Sequence, residues 1–452
     1  MTGIFKAYDI RGSYPDELDD RMAERIGSAF ARFLNGATIV IGRDIRLSSP
    51  GLAASFARGY TAAGGPVTDI GTTSTPQLYY AIIEGNFGGG AMITASHLPA
   101  NMNGIKLCGK NAVPLSGDKG LPELERLAGE HQEIPGSPAG SLSRADMMDS
   151  YIRRLSRAAQ PEKELTVVVD AGDGMAGPEV GRFFPLVPGW QMIPLYLEPD
   201  GTFPHHGANP FIHGATTDLQ NRVKETGADL GVAFDGDADR CCFVDDKGEL
   251  VDPGHVMALL AGYFLQQAPG STILYDLRSS RIVPETVERL GGHPVRSRVD
   301  HAFIKDLMRK EDAIFAGELS GHYYFRDMGF CDNGLFAMVQ MANLLSAEDQ
   351  PLSHLIRPLM KYHATGEINM TVGRQDGILA ALESAYAGAD VDHLDGLTVS
   401  YDSWWFNLRS SNTEPVIRLN LEARDDAERE TRLATVLGII RSADPSVQVK
   451  SE

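Results

Sequence analysis

The sequence predicts an α/β protein: three related α/β domains with mixed sheets, followed by a smaller C-terminal α+β domain. Three observations carry that expectation. A chain of 452 residues exceeds what one hydrophobic core serves, and its length suggests about three or four domains. A strand–loop–helix pattern recurs three times, with each strand ending in an aspartate. The pattern then stops, and the tail alternates strand-like and helical runs of another kind.

The first unit shows the pattern as Thr38-Ile-Val-Ile-Gly-Arg-Asp44, a β-rich run ending in an acid, followed by a helical stretch from Gly51 to Ala63. The second is Thr166-Val-Val-Val-Asp170, then a loop from Ala171 to Gly177 and a helix near Pro178 to Phe184. The third is Thr272-Ile-Leu-Tyr-Asp276, then Leu277 to Ser280 and a helix ending near Leu290. Strand, loop, helix and next strand imply α/β layering. The terminal aspartates lie 126 and 106 residues apart, too far for a solenoid. From about Tyr362 the reading changes. Glu367 to Val372 is strand-like, Ile378 to Tyr386 helical, Ser403 to Leu408 and Pro415 to Leu421 strand-like, and Ala427 to Arg441 helical. Linkers are expected near Ile134 to Ser143, Asp252 to Gly254 and Leu359 to Ala364. They divide the chain into 1–143, 144–253, 254–360 and 361–452.

Composition narrows the function. Hydrophobic content of 43% and charged content of 22% are ordinary for globular chains. A formal charge of -19 argues against nucleic acid or an anionic membrane surface as partner. Any site for an anionic phosphate must then be a local basic pocket. The four cysteines form no CxxC pair or disulfide framework, which fits a reducing compartment. Cys241 and Cys242 are expected as buried strand residues. No signal-peptide pattern opens the chain, and no apolar run reaches about 18 residues, so a cytoplasmic location is expected.

Four stretches carry chemistry. In Ile93-Thr-Ala-Ser-His-Leu-Pro-Ala-Asn-Met-Asn-Gly-Ile-Lys106, Ser96 sits on a turn after an apolar run. A serine hydroxyl is a poor nucleophile unless activated or modified. His97 is not expected to activate it, because neighbouring side chains rarely face each other. The second stretch is Asp235-Gly-Asp-Ala-Asp-Arg240, after the apolar run Leu230 to Phe234. Carboxylates at i, i+2 and i+4 can converge on one hard cation such as Mg²⁺, Ca²⁺ or Mn²⁺. An EF-hand is excluded, since Arg240 and Asp246 stand where it needs Gly and Glu. Without a counter-ion the three aspartates would repel one another.

In the third stretch, Glu318, Ser320 and His322 are expected to alternate along a short extended loop and point the same way. A carboxylate beside a hydroxyl suits vicinal sugar hydroxyls. The fourth, Arg409-Ser-Ser-Asn-Thr-Glu-Pro-Val-Ile-Arg418, combines guanidinium groups, hydroxyls and a turn, which together suit a phosphate dianion. A competing motif, Gly172-Asp-Gly-Met-Ala-Gly177, matches the dinucleotide fingerprint G-x-G-x-x-G. The other two repeats do without those glycines, so the architecture needs no nucleotide.

These stretches, in this order, resemble the α-D-phosphohexomutase superfamily, most closely its bacterial phosphomannomutase and phosphomannomutase/phosphoglucomutase members. The likeness runs from Phe5-Lys-Ala-Tyr-Asp-Ile-Arg-Gly12 to Arg409–Arg418. It implies four domains around a central cleft. It implies Ser96 as the phosphoserine, and Ser96, Asp235, Asp237 and Asp239 as Mg²⁺ ligands. Lys106 and His301 are implied as acid/base candidates, with Arg11 and Arg240 offsetting charge. Substrate contacts are implied for Tyr8, Arg278, Glu318, Ser320, His322, Arg409, Ser411, Asn412, Thr413 and Arg418. The implied activity interconverts hexose 6-phosphate and hexose 1-phosphate, of mannose or glucose, through a hexose 1,6-bisphosphate that also serves as activator. The expected assembly is a monomer or weak homodimer. Two departures stand out: Leu98 replaces the family's usual Asn and is expected to bear on loop rigidity, and Leu319 replaces Met, a volume-conserving change. The rival readings are a metal-dependent phosphosugar hydrolase, a catalytically silent phosphosugar-binding protein, and an NAD-binding oxidoreductase built on Gly172–Gly177.

Overall fold

The structure is a computed structural model that describes residues 3–130, 139–373, 375–411 and 416–450. It contains four sheets, and the first three share one wiring. In the first sheet, Val67–Thr72, Ile39–Arg43 and Gly89–Ile93 are parallel neighbours, and Met102–Gly109 runs antiparallel beside the last. The second repeats this with Trp190–Leu195, Leu165–Asp170, Leu230–Phe234 and Cys241–Val244. The third does so with His293–Ser297, Thr272–Asp276, Phe315–Gly317 and Tyr323–Phe325. An antiparallel fifth strand flanks each: Ile10–Ser13, Leu250–Val251 and Cys331–Asp332. The sheets are mixed and the three units related, as the repeats imply.

The recurring aspartate has a local cause. Asp44, Asp170 and Asp276 are buried, and each accepts the backbone N–H two residues on, at 2.9–3.0 Å. These Asx turns end the strand and start the loop. The central strands Ile39–Arg43 and Leu165–Asp170 are nearly continuous apolar runs, as parallel strands covered on both faces must be.

Two expected linkers take on structure. Leu142–Arg144 pairs parallel to Val67–Thr72, so the run expected as a linker up to Ser143 ends in the first sheet. The second junction passes from strand Leu250–Val251 into helix Pro253–Gln267, with Asp252 accepting from the Gly254 N–H at 2.7 Å. One hydrophobic core runs through the second and third units. The four cysteines are free and buried, and Cys241 and Cys242 open a strand.

The fourth sheet is antiparallel between neighbours, in the order Asp390–Asp392, Leu397–Ser400, Trp404–Ser410, Ile417–Ala423, His363–Thr371, Gln448–Val449. Helices Gln375–Ala385 and Asp426–Ala443 accompany it, and it has its own core. The hairpin 390–400 was not foreseen in the sequence. Among the described residues no helix is long and apolar enough to cross a membrane.

The shared wiring positions the chemistry. Residues 94–101, 235–240 and 318–322 all join the third parallel strand of a unit to its antiparallel neighbour. In open α/β sheets, sites form outside the carboxyl ends of the strands. Three equivalent loops therefore supply three different sets of side chains.

Candidate active site

Ser96 has φ 52°, a left-handed conformation that L-residues adopt at a cost. Its N–H donates to Thr94 Oγ1 at 2.8 Å. Its carbonyl accepts from the guanidinium of Arg46 at 2.7 Å. Its hydroxyl donates to Asp235 Oδ2 at 2.8 Å. His97 Nδ1 lies 3.2 Å from the same Oγ. The expectation that Ser96 and His97 would not face each other is thus corrected: the positive φ bends the chain so that consecutive side chains meet. Burial holds the His97 imidazole well below its usual pKa, helped by Arg240 and Arg11.

Asp235, Asp237 and Asp239 are buried at 0–1% exposure, with ligand oxygens within 4.8 Å of one another. Lys106 Nζ lies 2.8 Å from Asp237 and 2.5 Å from Asp239. Arg240 Nε is 3.8 Å from Asp235. The chain itself therefore supplies part of the counter-charge, from Lys106 as well as from Arg240. Burial pushes Asp235 well above the usual carboxylate range, and Asp239 and Asp237 add to the shift. Asp237 is lowered despite its burial, by Lys106. Lys106 is raised by Asp237 and Asp239 against its own burial, which keeps it an ammonium. Asp237 Oδ1 and Asp239 Oδ1 are buried with no hydrogen-bond donor. Converging hard oxygens with unused lone pairs fit a divalent cation. A second trio, Asp239, His322 and Asp332, shares Asp239, and there Lys305 Nζ sits 2.7 Å from Asp332 as a built-in cation.

Next to this cluster lies a cavity of about 230 Å³. Tyr8, Arg11, Arg240, Arg278, His301, Glu318, Ser320, His322, Arg409, Ser411 and Arg418 all line it. The 318–322 loop is a turn rather than an extended run. Gly321, at φ 80°, donates its N–H to the Glu318 carbonyl at 3.1 Å. Glu318, Ser320 and His322 thus reach one pocket by curvature, not by alternation. Glu318 is fixed from behind by the Tyr324 hydroxyl at 2.5 Å and the Asp300 N–H at 3.0 Å. His322 Nδ1 lies 3.1 Å from Asp332. Burial, then Lys305, holds His301 well below its usual pKa, so its ring is neutral. Asn412 and Thr413 lie outside the described residues.

Sequence reading missed Arg46, Asp332 and Glu367. For Arg46 a signal existed: Asp44-x-Arg46 repeats as Asp276-x-Arg278. The dinucleotide-like glycines serve packing. A Cβ on Gly177 would meet the Leu197 carbonyl at 1.9 Å, and one on Gly174 the Gly236 carbonyl at 2.9 Å. The backbone side of that motif is filled by the second unit's own chain and by the metal loop.

Three α/β units that pool a serine, an acidic trio and a sugar-sized polar pocket, closed by an arginine-bearing fourth unit, define a sugar-phosphate mutase. The chain belongs to the phosphoglucomutase/phosphomannomutase family. It matches that family's alpha/beta/alpha domain I over residues 2–133, domain II over 149–248, domain III over 252–363 and the C-terminal domain over 367–437. It is 40% identical to a phosphomannomutase of Escherichia coli over 450 residues, covering 97% of this chain and 99% of the relative. It is 38% identical to a protein named phosphohexose mutases from Xanthomonas campestris pv. campestris, covering 97% and 99%. A crystal structure of a phosphoglucomutase/phosphomannomutase family protein from Burkholderia thailandensis superposes with TM-score 0.91 at 32% identity, covering 99% of this chain and 100% of that one.

Proposed function

We propose that this mutase interconverts hexose 6-phosphate and hexose 1-phosphate, with mannose preferred and glucose accepted, through a phosphoryl group carried on Ser96. The observation that carries the reading is the Ser96 hydroxyl 2.8 Å from Asp235, beside a pocket that continues to Arg409 and Arg418. Asp235, Asp237, Asp239 and the Ser96 oxygen would hold Mg²⁺, which when bound neutralises charge on the transferred group.

The sugar's free hydroxyl attacks the phosphorus. The bond from phosphorus to Ser96 Oγ breaks as the bond to the sugar oxygen forms, and the hydroxyl proton passes to His301. A neutral ring can take that proton, whereas Lys106, held as an ammonium between two aspartates, acts instead as a fixed positive charge with Arg11 and Arg240. Glu318 and Ser320 hold the sugar hydroxyls, with His322 and Tyr8 at the pocket wall. Arg278, Arg409, Ser411, Asn412, Thr413 and Arg418 hold the phosphate that is not reacting. The hexose 1,6-bisphosphate then turns round, Ser96 Oγ attacks its other phosphorus, the bond from that phosphorus to the sugar oxygen breaks, and His301 returns the proton to that oxygen. Added bisphosphate activates by re-loading an empty serine. The reading takes the assembly to be a monomer or weak homodimer. The free cysteines suit a cytoplasmic setting.

Incubation with mannose 1-phosphate or glucose 1-phosphate, Mg²⁺ and catalytic hexose 1,6-bisphosphate tests the proposal, with hexose 6-phosphate and free phosphate both followed. Hexose 6-phosphate should form, faster from mannose, and Ser96→Ala should abolish it. Free phosphate in place of the isomer, or full activity of Ser96→Ala, refutes the reading.

A further inference from the structure

The arginine cradle already contains an anion. Arg278 comes from the third unit, and Arg409 and Arg418 from the fourth. Their guanidinium groups converge on one carboxylate, Glu367. Arg409 Nη2 lies 2.9 Å and Arg278 Nη1 3.5 Å from Glu367 Oε2, and Arg418 Nη1 lies 3.2 Å from Oε1. The backbone aims this side chain. Glu367 lies opposite Asn420 just after a register shift in the pairing of His363–Thr371 with Ile417–Ala423, and the Asn420 side-chain amide reaches Oε2 at 3.5 Å. The Glu367 side chain is 24% exposed. The three arginines hold its carboxyl below the usual range in spite of burial, so it stands ionised among them.

Two physical points follow. A carboxylate and a phosphate offer a guanidinium fork the same paired oxygens, so Glu367 occupies hydrogen-bonding positions that an arriving phosphate needs. Arg278 also pairs with Asp276 at 2.5 Å, and Glu367 takes away one further positive charge that would otherwise face an arriving phosphate, whose own charge is roughly -2. Without Glu367 the cradle would carry one more net positive charge and hold a phosphate more tightly. Tight holding is a liability for an enzyme whose intermediate must let go and turn round.

We propose that Glu367 is a positioning residue that serves as a resident counter-anion: it gathers the three arginines between turnovers and competes with the sugar phosphate for them, which keeps the hold on that phosphate reversible. The inference rests on the mutase reading above, but its test does not need turnover.

Inorganic phosphate is titrated calorimetrically into the wild-type chain and into Glu367→Gln, Glu367→Ala and Glu367→Asp. The two uncharged variants should bind phosphate about tenfold more tightly, while Glu367→Asp should stay near wild type. In mutase assays Glu367→Gln should lower both KM and kcat, because a better-held intermediate reorients more slowly. Unchanged or weaker phosphate binding by the uncharged variants would overturn the proposal, since a purely structural glutamate predicts weakening. Loss of fold in both would overturn it as well. Tighter phosphate binding in a chain that forms no isomer would instead refute the mutase reading and leave the counter-anion standing.

Discussion

A serine held at φ 52° shows how much of this site lies in single residues. The left-handed conformation costs a non-glycine residue roughly 1–2 kcal/mol, and a local bond from its N–H together with tertiary bonds to its carbonyl and from its hydroxyl hold it there. The sequence could show the serine but not the dihedral, so the contact with His97 was hidden. Glu179 was hidden for a related reason. It is one polar position on the helix Ala176–Phe183, fully buried against Ser74 of the first unit. Helical periodicity says nothing of a partner from another domain. Neither carboxyl oxygen has a well-aligned hydrogen-bond partner, and burial pushes the group up to about 8. An unfolded glutamate titrates near about 4.3. Between there and about 8 the unfolded chain gives up a proton that the folded chain keeps, so this residue's share of stability falls as pH rises through that window. Glu179→Gln should melt like wild type near the bottom of the window and a few degrees higher at its top. Parallel pH dependence of the two melting curves would refute a buried neutral carboxyl.

At the scale of elements, the strand-ending aspartates were legible because an Asx turn is local chemistry, and the three loops were legible because each follows a buried strand. How those loops are stiffened was not. Arg46, with no exposed surface, donates to the carbonyls of Ser96, Leu98, Pro99 and Met102 at 2.6–3.1 Å. Its Nε also bonds to Asp44 at 3.1 Å. The loop's rigidity therefore resides in carbonyls gripped by one guanidinium. Replacing the family's Asn by Leu98 leaves that grip in place, because only the Leu98 main chain takes part. Lysine in place of Arg46 would keep the charge and lose the fork. Displacement of a reacting oxygen by about 1 Å can cost about 10²-fold in rate, and the proposed sugar and phosphate contacts lie on other loops. Arg46→Lys should therefore lower kcat about 10–100-fold with little change in KM in steady-state assays. A raised KM at unchanged kcat would show that Arg46 acts on binding instead.

Over the whole molecule, burial divides the chain differently from the repeats. The sequence separates the second and third units because each carries its own strand–loop–helix signature, yet their apolar residues form one core. That merging depends on which helix faces which sheet, and periodicity cannot supply it. The fourth unit keeps a separate core. Polar contacts join it to the third: Arg281 with the carbonyls of Tyr401, Asp402 and Trp404, Tyr362 with Glu285, Arg296 with Asp392, and Arg278 with Glu367. Polar interfaces of this kind permit relative motion, and the proposed bisphosphate, which must turn round, needs a cleft able to loosen. Calorimetry should accordingly resolve the fourth unit as its own transition, with the second and third melting together. A phosphosugar that joins Arg278 to Arg409 and Arg418 stabilises only the closed arrangement, so it should raise the fourth unit's transition most, in proportion to the logarithm of its concentration. A single transition that moves as one with ligand would mean that the fourth unit is not an independent lid, and reorientation would then have to occur in a closed cleft.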